Sequence, residues 1–175
     1  GNATKVIDCK SRLVIPGIIE GHAHFVSLGE SKLKLDVSGA ASWAEIVAKV
    51  AAVAKSTPRG KWIEGRGWHQ GKWKQLPKAN VEGYPITFDL SQAVPDHPVL
   101  LTHGTGHMVL ANFKAMELAG ITSETKAPRG GEILRDPAGK PIGVFREAAM
   151  TPLYRALERS QRGRSAQEAR DELLA

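Results

Sequence analysis

The sequence predicts an α+β or interrupted α/β fold, and three observations carry that expectation. Short aliphatic runs bounded by turn residues open the chain, one clear helical period follows, and strand-like and helix-like segments then mix without strict alternation. In chain order, Lys5-Val6-Ile7-Asp8 and Leu13-Val14-Ile15 read as two strands joined by the polar turn Cys9-Lys10-Ser11-Arg12. Pro16-Gly17 punctuates before a strand at Ile18-Ile19-Glu20. Ser42-Trp43-Ala44-Glu45 has the form of a capping box, with Ile46, Val47, Val50, Val53 and Ala54 at helical spacing behind it. That helix is expected to end near Lys55, with Pro58 and Gly60 beyond. Lys61-Trp62-Ile63-Glu64 predicts a strand, and Gly65 to Trp73 a glycine- and tryptophan-rich loop.

Pro98-Val99-Leu100-Leu101-Thr102 predicts a further strand, entered by the turn Pro95-Asp96. Asn112 is placed to cap a helix from Phe113 to Ala119, closed by Gly120. Glu132-Ile133-Leu134-Arg135 and Ile142-Gly143-Val144-Phe145 flank the turn-forming Asp136-Pro137-Ala138-Gly139-Lys140-Pro141, which predicts a hairpin. A helix is expected from Glu147 to about Arg159. A second capping box, Ser165-Ala166-Gln167-Glu168, announces one more.

Length and composition bound the function. A chain of 175 residues holds one domain with a real core or two small ones, and 42% hydrophobic with 24% charged residues is ordinary for a globular protein. The net charge of +6 is spread out, with no run of five like charges and no aromatic–basic interleaving, which speaks against nucleic acid as partner. The single cysteine, Cys9, excludes an internal disulfide and suits a reducing, cytoplasmic compartment. No run approaches the roughly 18 apolar residues of a membrane span. The first residue is not Met, and the last predicted helix stops at Leu173-Leu174-Ala175, so both ends are expected to lie inside a longer protein.

The chemistry concentrates at His22-Ala23-His24, delivered by the apolar segment before it. Side chains of a strand alternate between faces, so His22 and His24 point the same way and can grip one divalent metal. The competing reading is a surface loop that carries two histidines by chance. Gly21, beside His22, lets backbone or ligand approach closely.

The string from Val14 to His24, with Pro16-Gly17, the aliphatic pair Ile18-Ile19, the acidic Glu20 and then His-x-His, resembles the opening of the metal-dependent amidohydrolase superfamily. Glu20 stands where that family usually has Asp. Gly65-Arg66-Gly67-Trp68-His69-Gln70 with Trp73 and Pro77 is similar to the family 3 branch, which includes N-substituted formamide deformylases. So are Gly106-His107 with Asn112, Ala119-Gly120-Ile121, and Gly130-Gly131-Glu132-Ile133 running through Asp136, Gly139 and Gly143 to Glu147. The resemblance spans about residues 4 to 150. It implies a TIM-like (β/α)8 barrel with its metal at the C-terminal ends of the strands, a small β-sandwich, and an α+β insertion after the first barrel strand. Mapped onto this chain, residues 1–15 are the end of the sandwich, 16–30 the first barrel strand with His-x-His, 31–143 the insertion and 144–175 the return to the barrel.

The chemistry so implied is hydrolysis of an amide or other non-peptide C–N bond by water activated on one or two divalent ions, zinc first among them. His22 and His24 are the first metal ligands. Glu147 is the next, against the alternative that it is an acidic residue favoured by a helix dipole. His107 and Trp68 are candidate substrate contacts; for His107 a structural or solvent-exposed role is equally open, and for His69 among Trp68 and Trp73 an aromatic packing cluster is favoured over a pocket wall. His97, between Asp96 and Pro98, reads as a turn residue. Two later histidines and the general-base aspartate are expected beyond residue 175, so little turnover is expected from this chain alone. The rival class is a non-catalytic binding or structural module in which His-x-His is incidental. The small-molecule substrate is open, because barrel specificity resides in loops. So is the oligomeric state, with a homodimer as one expectation and no membrane partner.

Overall fold

The computed structural model describes residues 5, 7–17, 19, 21, 29 and 31–162. Their centre is a six-stranded mixed sheet. In chain order the elements are β1 (Leu35–Asp36), α1 (Trp43–Ala54), β2 (Ile63–Trp68), β3 (Asn80–Val81), β4 (Tyr84–Pro85), α2 (Phe88–Ala93), β5 (Val99–His103), β6 (Met108–Ala111), α3 (Phe113–Leu118), β7 (Gly131–Arg135), β8 (Pro141–Glu147) and α4 (Thr151–Gln161). The sheet order is β1-β2-β5-β6-β8-β7, while β3 and β4 form a separate two-stranded ribbon. β1, β2 and β5 run parallel, and β6, β7 and β8 complete the sheet in antiparallel fashion. The fold is mixed α/β.

Both faces of the sheet are buried, because the central strands are apolar on both sides. On one face Ile63, Val99, Leu101, Leu110, Ile142 and Val144 pack with Trp43, Ile46 and Val50 of α1 and with Leu90 of α2. On the other, Leu100, Val109, Ala111, Ile133 and Phe145 pack with Ala115 and Met116 of α3 and with Leu153 and Leu157 of α4. The β5–β6 register pairs Leu101 with Leu110 and Leu100 with Ala111, so each apolar side chain meets a partner on its own face. The helices α3 and α4 reach β5, β6, β7 and β8 through these contacts. Farther along that face, β1 and β2 carry Asp36, Glu64 and Arg66.

The sequence expectations meet the structure element by element. The predicted cap forms with its return bond one residue earlier: Ser42 Oγ accepts from the Glu45 amide at 3.2 Å, and Glu45 Oε2 accepts from the amide of Ala41, just before the N-cap, at 2.9 Å. The helix it starts ends at Ala54 with Lys55 as C-cap. Asn112 caps α3, and Gly120 follows at φ +69°. The hairpin β7–β8 closes as expected, with Asp136 Oδ1 accepting from the amides of Ala138 and Lys140 at 2.9 and 2.8 Å.

Three segments differ. Residues 12–17 form no strand, and Leu13 and Val14 lie 88% and 70% exposed, because no described segment offers their backbone a partner. The strand expected at Lys61–Glu64 instead runs on to Trp68, through glycines that a loop reading takes as breakers. Those glycines are there for space. A Cβ on Gly65 would stand 2.7 Å from Leu101 Cδ2, and Gly67 sits at a bulge with φ +96° and Ser38 Cβ 2.7 Å from its missing Cβ. The helix expected from Glu147 begins as a 3₁₀ turn, Ala148–Met150, before α4. The strand expected at residues 18–20, residue 19 apart, and the capping box at 165–168 lie outside the described residues. Among the described residues no helix is long and apolar enough to cross a membrane.

Candidate functional site

Two of the expected site residues come together at one end of the antiparallel half of the sheet. His107 stands in the loop between β5 and β6, and Glu147 is the last residue of β8. His107 Nδ1 lies 3.0 Å from Glu147 Oε1, with both side chains more than half exposed. A main-chain bond reinforces the pair, since the Glu147 amide donates to the His107 carbonyl at 3.1 Å. Glu147 holds φ +49° and ψ −126°, a conformation that favours glycine and costs other residues about 1–3 kcal/mol. Gly131, opposite Glu147 in the β7–β8 register, packs directly against the turn that follows Glu147 and leaves no room for a side chain of its own. A Cβ on Gly131 would clash with the Ala149 amide nitrogen and the Ala148 carbonyl carbon.

The His107 loop is braced from behind. His103, at the end of β5, is 3% exposed. Its Nδ1 accepts from the Thr105 amide at 3.2 Å and meets Thr105 Oγ1 at 2.9 Å. Nδ1 therefore carries no proton, and Nε2–H donates to Gln70 Oε1 at 3.1 Å. Thr105 Oγ1 in turn accepts from the His107 amide at 3.3 Å. A continuous chain of bonds thus runs from Gln70 through His103 and Thr105 to His107. Burial, helped by the charges of His69 and Lys72, pushes His103 from 6.5 down to about 4, so the ring is neutral at physiological pH. The ring of His69 lies 4.6 Å from that of His103, and its Nδ1 accepts from the Gly71 amide at 3.1 Å.

The remaining candidates fall elsewhere. Trp68, expected to face a substrate, is 1% exposed in the core and donates its indole N–H to the Leu101 carbonyl at 2.9 Å. Its ring meets Trp73, Tyr84 and His103, so the aromatic packing reading describes its surroundings. His97 is a buried turn residue whose Nδ1–H donates to the Lys61 carbonyl at 3.2 Å. His22 and His24 lie outside the described residues. Among the described residues no three of His, Cys, Asp and Glu gather to hold a metal. Sequence reasoning missed Gln70 and Thr105, because a bond to a distant histidine leaves no spacing signal; only their place beside histidines in glycine-rich loops hinted at it.

The amidohydrolase family profile matches residues 5–175, which is nearly the whole chain. The chain belongs to the amidohydrolase family. Among its curated relatives it is 33% identical over 151 residues to Protein LONG AFTER FAR-RED 3 of Arabidopsis thaliana, covering 86% of this chain and 24% of that one. It is 30% identical over 154 residues to N-substituted formamide deformylase of Arthrobacter pascens, covering 87% and 27%. The chain therefore spans about a quarter of the length of these relatives. A solved structure of a metal-dependent hydrolase from Pyrococcus horikoshii shares the fold at TM-score 0.55 and 22% identity, over 87% of this chain and 26% of that one.

Proposed function

We propose that this chain is part of a metal-dependent hydrolase that cleaves an amide or other non-peptide C–N bond of a small molecule. The observation that supports the reading best is the His107–Glu147 pair, on a chain whose family profile match is nearly complete. The donor chemistry suits a divalent cation: a half-exposed carboxylate at a strand end, held by an imidazole N–H and by strained backbone. In this reading His22, His24 and Glu147 hold the metal, and His107 orients the Glu147 carboxylate while facing the substrate. When bound, a divalent cation, zinc first among the candidates, supplies Lewis acidity toward a carbonyl and toward water. This chain's own residues position that chemistry. The Gln70–His103–Thr105 bonds fix the loop, Trp68 backs His103 from the core, and Glu147 keeps its carboxylate at the end of β8.

The finer architecture belongs to the same proposal: residues 1–15 complete a β-sandwich, 16–30 begin a TIM-like barrel, 31–143 are an insertion, and 144–175 lead back toward the barrel. Two further histidines and an aspartate base come from outside this chain, in a cytoplasmic enzyme. Zinc titration of the purified chain tests the ligand set. His22→Ala, His24→Ala and Glu147→Gln should each weaken binding at least about tenfold, the usual cost of losing one metal ligand or its support. Binding unchanged in all three, with unfolding indifferent to chelator, would instead favour a non-catalytic module.

A further inference from the structure

β1, β2 and β5 run parallel, and their C-terminal ends lie side by side. In open sheets with parallel strands, the crevice outside those ends is where ligands collect. Here it is a half-open cleft of about 400 Å³, whose lining includes Lys32, Lys34, Arg66 and Lys72 against one carboxylate, Asp36. The charges are not mutually cancelled. Lys34 is tied to Glu64 at 3.1 Å, whereas Lys32, Arg66 and Lys72 have no ion pair among the described residues. Asp36 is occupied, since its Oδ1 accepts from the Ser38 amide at 2.8 Å, and that bond chiefly holds its carboxyl below the usual range. Gly67 and Gly104 give the cleft walls of bare backbone. Arg66 is half-buried and pairs in register with Asp36 on one side and Thr102 on the other, so its planar donor fork is carried by a strand rather than a mobile loop.

We propose that this cleft is an oxyanion site, which takes the carboxylate or phosphoryl group of a small molecule, independently of the metal chemistry proposed above. Convergent cations in a partly enclosed crevice concentrate anions, and an arginine fork matches two oxygens of one such group. The test is an amide-resonance titration of this chain at constant ionic strength with inorganic phosphate, with acetate, and with sodium chloride as control. Phosphate or acetate should shift the Ser38, Gly67 and Gly104 amides saturably, and the anion that does so assigns the group as phosphoryl or carboxylate. Arg66→Ala and Lys72→Ala should each weaken that binding about tenfold, as loss of a charge-assisted hydrogen bond does. Arg66→Lys should restore part of it, and Lys126→Ala, on an exposed loop, should change nothing. Lys72 lies outside the sheet in the 3₁₀ turn Gln70–Lys72, so its variant keeps the test valid if Arg66→Ala unfolds. Shifts that do not saturate, match those of chloride, or persist in the folded variants would overturn the site and leave a solvated basic face.

Discussion

Glu147 concentrates backbone strain and chemistry in one residue. Its φ of +49° is a conformation that glycine adopts freely, while its carboxylate meets His107 at 3.0 Å. The two roles separate by substitution. Glu147→Gly should raise stability by about 0.5–1 kcal/mol in urea unfolding, because strain relief exceeds both the added unfolded-state freedom and a weak exposed pair. The same variant should lose zinc affinity. A destabilised Glu147→Gly would show that the residue is kept for packing instead.

His103 gives the second residue-scale expectation. Its value falls from 6.5 to about 4 on folding, so between those limits the unfolded chain binds a proton that the folded chain does not. Stability therefore rises with pH across that window, is complete above about 6.5, and is lost as pH falls toward 4. Urea midpoints measured from pH 4 to 7 should show this slope, and His103→Gln should flatten it.

At the scale of elements, several glycines act as clearance rather than as hinges. Gly143, inside β8, has φ +98°, and a Cβ there would stand 2.6 Å from both the Ala111 carbonyl oxygen and Thr87 Cβ. Gly143→Ala should cost about 2–4 kcal/mol, combining overpacking with an unfavourable φ, and calorimetry would register it as a lower midpoint. This also explains which elements were legible beforehand. Signals local to a few residues survived intact: the Ser42–Glu45 cap, the Asn112 cap with Gly120, and the Asp136 turn each close within their own segment. Signals set by distant neighbours did not. Nothing in Gly65-Arg66-Gly67 reveals that Leu101 and Ser38 press on that strand, and nothing in Leu13-Val14-Ile15 reveals whether a partner strand exists. The site divides in the same way. His107 and Glu147 stood out by residue type and resemblance, but their 3.0 Å meeting depends on a register between β6 and β8 that only the folded sheet supplies.

For the whole molecule, the question is what makes two helical layers and a sheet of mixed direction behave as one body. Asn112 answers much of it. Fully buried, it accepts from the amides of Val99 at 2.9 Å and Ala115 at 3.0 Å, and donates to the carbonyls of Val94 at 3.1 Å and His97 at 2.8 Å. One side chain thereby joins the end of α2, the turn before β5, β5 itself and α3. A helix of six residues such as α3 would ordinarily fray by itself. Tied in this way, it cannot open without stranding buried donors in the strand it covers. Deuterium uptake should accordingly show the Val99 and Ala115 amides exchanging together, at the rate of global opening. In Asn112→Ala, which loses about 3 kcal/mol or more, the two should part company, with the helix amide exchanging first.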